Sequence, residues 1–421
     1  MMKVNGRILA IVPHKTLIDR TKSGVGAYID GLEDYGFCDF ITDGENSSVT
    51  KSLWFNYGDT TLSDGYKVGH IQSALLEALD RTPYRAIVCS TYEGVEAAVG
   101  LGLPKIMPVY YRSHNSFLLT QDLNGLGAEK MHRALLQAPV TGLRILANCD
   151  STARVLSEIY KAPAAVAYNA FSISDYNPPA KRKPSLLIIC RYEKVKRPAF
   201  AARIAAASGL PVRVMTGSDR QVKSWQKELS DAGVKDFEVV SGLFGDDKMA
   251  FIGQCTVALS CAEVESFANG VRETIPYCPT FVVQTSKYDW ARDYTRFCSE
   301  NKHIHIRAVD RVTEKEVQEL GAEIAYWANT KYLTKAERTT LLTSWAKHVD
   351  KGWADFMKNA VVPDDGKPMK TDLSKELEEK GVVDWSKTQT LMRTVKAIHK
   401  CHARMGLTFD GTKIKTKGKK K

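Results

Sequence analysis

The sequence lacks any apolar run of the length a membrane-spanning helix needs, about 20 residues, which argues against an integral helical membrane protein. Its first stretch, MMKVNGRILAIVPHK, holds only a short apolar run and is expected to be a buried strand, not a signal peptide. No CxxC pair occurs, and the cysteine count of nine is odd. Several cysteines, among them Cys89, Cys190 and Cys255, sit in strand-like runs, so free thiols in a reducing cytoplasm are expected, with no disulfide framework and no zinc site. The HIH at 303 to 305 puts two histidines on one strand face with no third ligand nearby, so no metal is expected there either. Acid is absent from the last eleven residues, GTKIKTKGKKK, which carry six lysines. The net charge is +11, and taking the tail away leaves +5, so about half of the excess is local. Such a tail is expected to be disordered. It reads either as a solubilising end or as an arm drawn to polyanions, nucleic acid or an anionic membrane.

What is present is an ordinary globular composition, 44% hydrophobic and 25% charged, in 421 residues, enough for two or three domains. Short apolar runs alternate with helical patterns: KVNGRILAIVPH, RAIVCST, KIMPVYYRSH and GLRILANCD read as strands, VGAYIDGLEDYGF and YEGVEAAVGLGL as helices. STARVLSEIYK reads as a helix that Ser151 can cap. AVAYNAF closes this first half, and SISDYNPPAKRKP, 172 to 184, reads as a linker. A second alternation runs from SLLIICRYE to TFVVQTS, and Thr313 to Glu316, TEKE, fits a capping box. The expected fold class is therefore α/β, two doubly wound parallel sheets facing a cleft, with C-terminal helices. The expected domains are 1–172, 173–310, a helical region 311–410 packing on both, with a helix near 387 to 404, and the basic tail 411–421.

ESFANGVRE, 265 to 273, lies between two buried strands at a strand-to-helix turn, where open α/β sheets bind ligands. Carboxylates accept paired sugar hydroxyls, and tight turns offer N–H groups to phosphate. ICRYEKVKRPAF, at the end of the first strand of the second half, sets Arg191 and Lys196 five apart with Lys194 and Arg197 beside them. Cations there suit a diphosphate. Alone they read as a solvated charge cluster; with ESFANGVRE downstream they point to a nucleotide sugar.

These residues resemble the nucleotide-sugar domain of retaining GT-B glycosyltransferases, particularly glycosyltransferase family 4, which carries two glutamates separated by seven residues. Glu265, Glu273 and Phe267 match; Ser266 and Ala268 stand where glycines are usual. The resemblance implies that Glu265 binds the transferred sugar's hydroxyls and Glu273 the ribose, with the backbone of Phe267, Ala268 and Asn269 close to sugar and phosphate. Arg191 and Lys196 match the diphosphate-binding pair, and Arg197 replaces the glycine that usually follows. Gly217 matches the glycine after the second strand, and SGLFG, 241 to 245, the loop that reads the base through its backbone, Gly242 and Leu243 included. In the first half, TKSGVGAYIDGL resembles the family's glycine loop, with Gly24 near the diphosphate. His114, ending VYYRSH, stands where members carry a sugar-contacting histidine, and YRSHNS resembles phage DNA α-glucosyltransferases. Asn169 matches the interdomain segment; Ser172 replaces its usual Asp.

The implied donor is a nucleoside diphosphate sugar, UDP-glucose or a UDP-pentose, with no bound cofactor and no essential metal. The implied reaction retains configuration by front-face attack, since no carboxylate stands out as a covalent nucleophile. Three acceptor readings follow. One is a hydroxymethylated base in DNA, supported by the charge, the tail and YRSHNS, and requiring base flipping. A lipid or polysaccharide is the second, for which GAEKMHRALLQAP is a weak amphipathic helix. The third is a non-catalytic GT-B module that binds nucleic acid, a role that would need no carboxylates in the cleft.

Overall fold

The computed structural model describes residues 6–12, 29, 32–33, 35–42, 52–56, 64–114, 117–121, 123, 126–169 and 176–359. In the first half, β1 (Arg7–Ile11), β2 (Cys38–Thr42) and β3 (Trp54–Asn56) precede α1 (Asp64–Arg81). β4 (Tyr84–Cys89), α2 (Tyr92–Gly100), β5 (Val109–Arg112), α3 (Leu126–Leu136), β6 (Arg144–Ala147), α4 (Asp150–Tyr160) and β7 (Ala164–Val166) follow. The seven strands form one sheet in the order β3-β2-β1-β4-β5-β6-β7, every pair parallel. In the second half come β8 (Leu186–Ile189), α5 (Pro198–Ser208), β9 (Val212–Thr216), α6 (Asp219–Asp231), β10 (Phe237–Ser241) and α7 (Gly245–Gly253). β11 (Val257–Ser260), α8 (Asn269–Thr274), β12 (Thr280–Gln284) and β13 (Ile304–Ala308) complete a six-stranded parallel sheet, β10-β9-β8-β11-β12-β13. The strands are continuous apolar runs rather than alternating ones because helices cover both faces; β2, β5 and β12 are buried at every residue.

Two helices complete the described chain, α9 (Glu314–Ala328) and α10 (Lys335–Asn359). Thr313 opens α9 with the expected capping box, its hydroxyl accepting from the Glu316 amide and its own amide donating to the Glu316 carboxylate. Gly321 lets α9 lie on α5: a Cβ there would stand 2.7 Å from the backbone of Ala207. Helix α10 crosses back to the first half, where Trp353 Nε1 donates to the Tyr168 carbonyl at 3.0 Å and Tyr35 Oη to Asp350 at 2.6 Å. Trp345, earlier on the same helix, stacks on Phe297 of the second half at 4.7 Å between ring centroids. One apolar cluster thus runs from β1 through Phe267 and Tyr294 to Trp345 and Trp353.

The expected Ser151 cap does not form. Helix α4 begins at Asp150 with Cys149 at the cap position and no side-chain bond there. Ser151 lies inside the first turn, and its amide (3.0 Å) and hydroxyl (2.7 Å) both donate to the Asp293 carboxylate of the second half. A full negative charge at a helix start satisfies an orphan amide and complements the helix dipole better than a serine hydroxyl can. The HIH histidines are core groups. His303 Nδ1 accepts from the Ser299 amide at 3.0 Å, and His305 stacks on Phe281 at 4.5 Å and beside Trp327. Among the described residues no group of three side chains could hold a metal ion, and no helix is long and apolar enough to cross a membrane. The eight cysteines among them are all thiols, seven of them buried. The glycine loop around Gly24, Ser172, the helical pattern near 387 to 404 and the lysine tail lie outside the described residues.

Candidate functional site

Strand order decides where the site forms. The order in which strands join the second, all-parallel sheet reverses between β8 and β11, so the chain leaving β8 and the chain leaving β11 emerge side by side at their carboxyl ends, leaving a crevice between them. The first carries Arg191 to Arg197, the second Cys261 to Asn269. Sixty-nine residues apart in sequence, Lys196 and Glu265 therefore meet: the Lys196 ammonium donates to Glu265 Oε1, and both side chains are largely covered, at 7% and 16% exposure. Burying a cation this deeply requires a counter-charge, and the first glutamate of the motif supplies it.

Around the pair, Arg191 is exposed and reaches Glu193 at 3.1 Å. Gly217, after β9, leaves room for it: a Cβ there would lie 3.2 Å from Arg191 Cγ and 3.3 Å from Gln221 Oε1. Gln221 ties these loops together, its Oε1 accepting from the amides of Tyr192 and Gly217, each at 3.2 Å, and from the Thr216 hydroxyl at 2.8 Å.

Arg197, standing where the resemblance places a glycine, keeps a glycine-like backbone with φ +50° and ψ +54°. Its guanidinium caps three neighbouring strand ends, donating to the carbonyls of Cys261 (2.5 Å), Val283 (2.6 Å) and Val309 (3.1 Å) beyond or within β11, β12 and β13. Burial lowers its pKa. Arg197 thus fastens the Lys196 loop to the sheet that carries Glu265.

The turn from Glu265 to Asn269 is held from both halves. The Ser266 hydroxyl donates to the His114 carbonyl at 3.0 Å, and the Ser266 carbonyl accepts from the Thr152 hydroxyl at 2.8 Å and the Cys149 thiol at 3.0 Å. Phe267 is buried, stacked on Tyr294 at 5.1 Å, while Tyr294 Oη donates to the Ala268 carbonyl at 2.7 Å. Ala268 occupies the cap position of α8 without a side-chain acceptor, and Asn269 is the helix's first residue. His114, two residues past β5, is partly buried with Nε2 3.4 Å from the Ser90 hydroxyl. Burial first, and then the nearby Arg112 charge, hold its pKa well below the usual histidine value, so the ring is neutral at pH 7. Asn169 fixes the start of the crossover between halves: its side-chain oxygen accepts from Arg112 at 2.9 Å and its carbonyl from Arg272 at 3.1 Å.

At the far end of α8, Glu273 pairs with Lys248 of α7, Nζ to Oε2 at 2.7 Å. The 241–245 loop precedes α7; Gly242 there has φ +71°, a conformation other residues adopt only with strain. Leu243 packs its side chain into the cluster around Met215 and Phe251, and the Ser241 hydroxyl donates to Asp219 at 2.5 Å.

The structure thus joins Lys196 to Glu265, Arg191 to Gly217, and the Glu265 turn to the His114 backbone. Sequence reasoning missed Lys248, Asp293 and Thr152. Lys248 had one signal, a lysine a single turn into the helix after the 241–245 loop. Thr152 reaches the Glu265 turn from the first half, Asp293 reaches from the second half to Ser151, and nothing local marks either.

The chain matches no protein-family model, and no curated protein matches it. Solved structures do match. Sucrose-phosphate synthase from Thermosynechococcus elongatus superposes with TM-score 0.61 at 13% identity over 85% of this chain and 99% of that one. Anabaena HepE in complex with UDP-glucose gives 0.56 at 13% over 83% and 100%. S. aureus TarM in complex with UDP gives 0.51 at 11% over 70% of this chain, which spans 59% of TarM's length. The fold is GT-B: two parallel α/β domains facing one another across a crevice.

Proposed function

We propose that the protein is a retaining glycosyltransferase that moves a sugar from a UDP-linked donor, glucose or a pentose, onto a hydroxymethylated base in DNA. The observation that carries the enzyme reading is the Lys196–Glu265 pair at the β8/β11 switch point, with the exposed Arg191 lying beside Gly217. In this reading the Lys196 ammonium and the Arg191 guanidinium neutralise the diphosphate as its bond to the sugar breaks. Glu265 accepts a hydroxyl of the sugar, and Lys196 holds that carboxylate in place. Neutral His114 approaches the sugar from the first half. The acceptor hydroxyl attacks the anomeric carbon on the face the diphosphate leaves; its proton passes to the departing phosphate oxygen, and configuration is retained. Glu273 holds the ribose, and the 241–245 backbone the base. HepE and TarM, with UDP-glucose and UDP bound, support a UDP-linked donor.

DNA as acceptor is favoured by the net charge of +11 and the lysine tail, and by cations set over aromatic rings near the cleft. Lys130 lies 4.9 Å over Tyr92, at the start of the helix after β4. Lys287 lies 4.9 Å over Tyr288, whose hydroxyl donates across the cleft to the Leu119 carbonyl at 3.1 Å. A second reading, a lipid or polysaccharide acceptor, draws on the end of α3 and the turn after it, where Leu136 and Val140 are exposed, the latter at 77%. A UDP-release assay separates them. Hydroxymethylated DNA should stimulate release from UDP-sugar, steeply less at higher salt, while unmodified DNA should not. Stimulation by anionic glycolipid vesicles alone would replace DNA with the second reading, and no release with any acceptor would remove the enzyme.

A further inference from the structure

We propose that Lys248 is a positioning residue for the nucleotide: it holds the Glu273 carboxylate turned to accept the ribose hydroxyls, and links the base loop to the ribose. The inference rests on the donor reading above and adds to it a residue that neither the motif spacing nor the resemblance names.

Three observations place Lys248 in that role. Its ammonium stands 2.7 Å from Glu273 Oε2, and the two side chains are 26% and 22% exposed, so the pair is mostly covered yet within reach of a ligand. Its backbone amide donates to the Phe244 carbonyl at 3.3 Å, closing the helical turn directly behind the 241–245 loop. Its partner sits on the last turn of α8, a helix of six residues whose first residue, Asn269, follows the turn that carries Glu265. One side chain therefore spans from the loop assigned to the base to the short helix that runs between the two motif glutamates.

The chemistry calls for such a group. A carboxylate that accepts ribose hydroxyls lies within a few bonds of a diphosphate, and like charges this close repel through the poorly screened interior. An ammonium against one carboxylate oxygen offsets that repulsion and leaves the other oxygen as acceptor. Arg272, the neighbour of Glu273 in sequence, is turned toward the crossover, where it donates to the Asn169 carbonyl. A lysine on a facing helix is thus the group whose charge meets Glu273 directly.

The test is calorimetric titration of the full chain with UDP and with 2′,3′-dideoxy-UDP, which keeps the base and both phosphates and lacks the hydroxyls. Lys248→Met should weaken UDP about tenfold and the dideoxy nucleotide, which shares the diphosphate but lacks the hydroxyls, by clearly less, about threefold, with Lys248→Arg restoring most of the loss. Glu273→Gln should cost UDP a similar factor and make a following Lys248→Met nearly silent. Equal losses for both nucleotides, or none for either, would overturn the positioning role, because a phosphate contact or a general folding role cannot separate the two ligands. Wild-type protein that binds neither nucleotide would instead overturn the donor reading itself.

Discussion

Replacing Arg197 tests how the crevice is built, because two substitutions remove the same contacts but leave different backbones. The wild-type guanidinium donates to three strand-end carbonyls while its backbone sits at φ +50°. Hydrogen bonds from a charged donor contribute about 1.5–3 kcal/mol each. Against their sum stand about 2 kcal/mol of side-chain ordering and about 1–2 kcal/mol for a left-handed non-glycine backbone. Arg197 is only partly buried, so water recovers part of what the carbonyls lose. Arg197→Gly should therefore destabilise by about 2–4 kcal/mol, with the backbone relief already included. Arg197→Ala loses the same bonds and keeps the left-handed cost, so it should fall about 1 kcal/mol further. Urea midpoints at constant m-value read both. A glycine variant as stable as wild type would refute the three-carbonyl clamp; an alanine variant equal to the glycine variant would refute the left-handed backbone.

Three further substitutions probe separate parts of the account. Burial, and then Arg307, push His305 down to about 4, so the unfolded chain takes a proton below 6.5 that the folded chain refuses. Stability is full above pH 6.5 and is lost as pH falls toward 4, about 3 kcal/mol over the window. His305→Phe keeps the stack on Phe281 and should lose less stability than wild type between pH 7 and 5 in urea melts; parallel losses would clear His305. Gly217→Ala should weaken UDP binding about fivefold, because the new Cβ crowds Arg191 Cγ at 3.2 Å; unchanged affinity would take Arg191 out of the diphosphate site. Asp293→Ala leaves the Ser151 amide and hydroxyl without their acceptor between the halves and should cost about 1–2 kcal/mol, seen as a lower thermal midpoint; an unchanged midpoint would mean the latch contributes nothing.

The fold was legible because parallel strands buried on both faces read as unbroken apolar runs, as in RILAI and TFVVQ. The Thr313 capping box was legible because all its parts lie within four residues. Ser151 misled because its acceptor, Asp293, lies 142 residues away. Glu265 and Lys196 could be named from motif spacing and resemblance, but that they pair with one another follows only from the strand order. Arg197 appeared as a departure from a glycine; that its side chain spans three strand ends is a fact of sheet geometry that no local pattern encodes. The place of Lys248 one turn after the 241–245 loop is visible in the sequence, but its pairing with Glu273, on the next helix and across an intervening strand, is not.

The measurement that tests the central claim most directly is mass spectrometry of nucleosides, with the anomeric configuration of any product read by NMR, after hydroxymethylated DNA has been incubated with the full chain and a panel of UDP-sugars. The account predicts the addition of one sugar to the modified nucleoside, α-linked from an α-linked donor, and its loss in Glu265→Gln. A β-linked product would contradict retention, and unmodified nucleosides with every donor would contradict DNA as the acceptor.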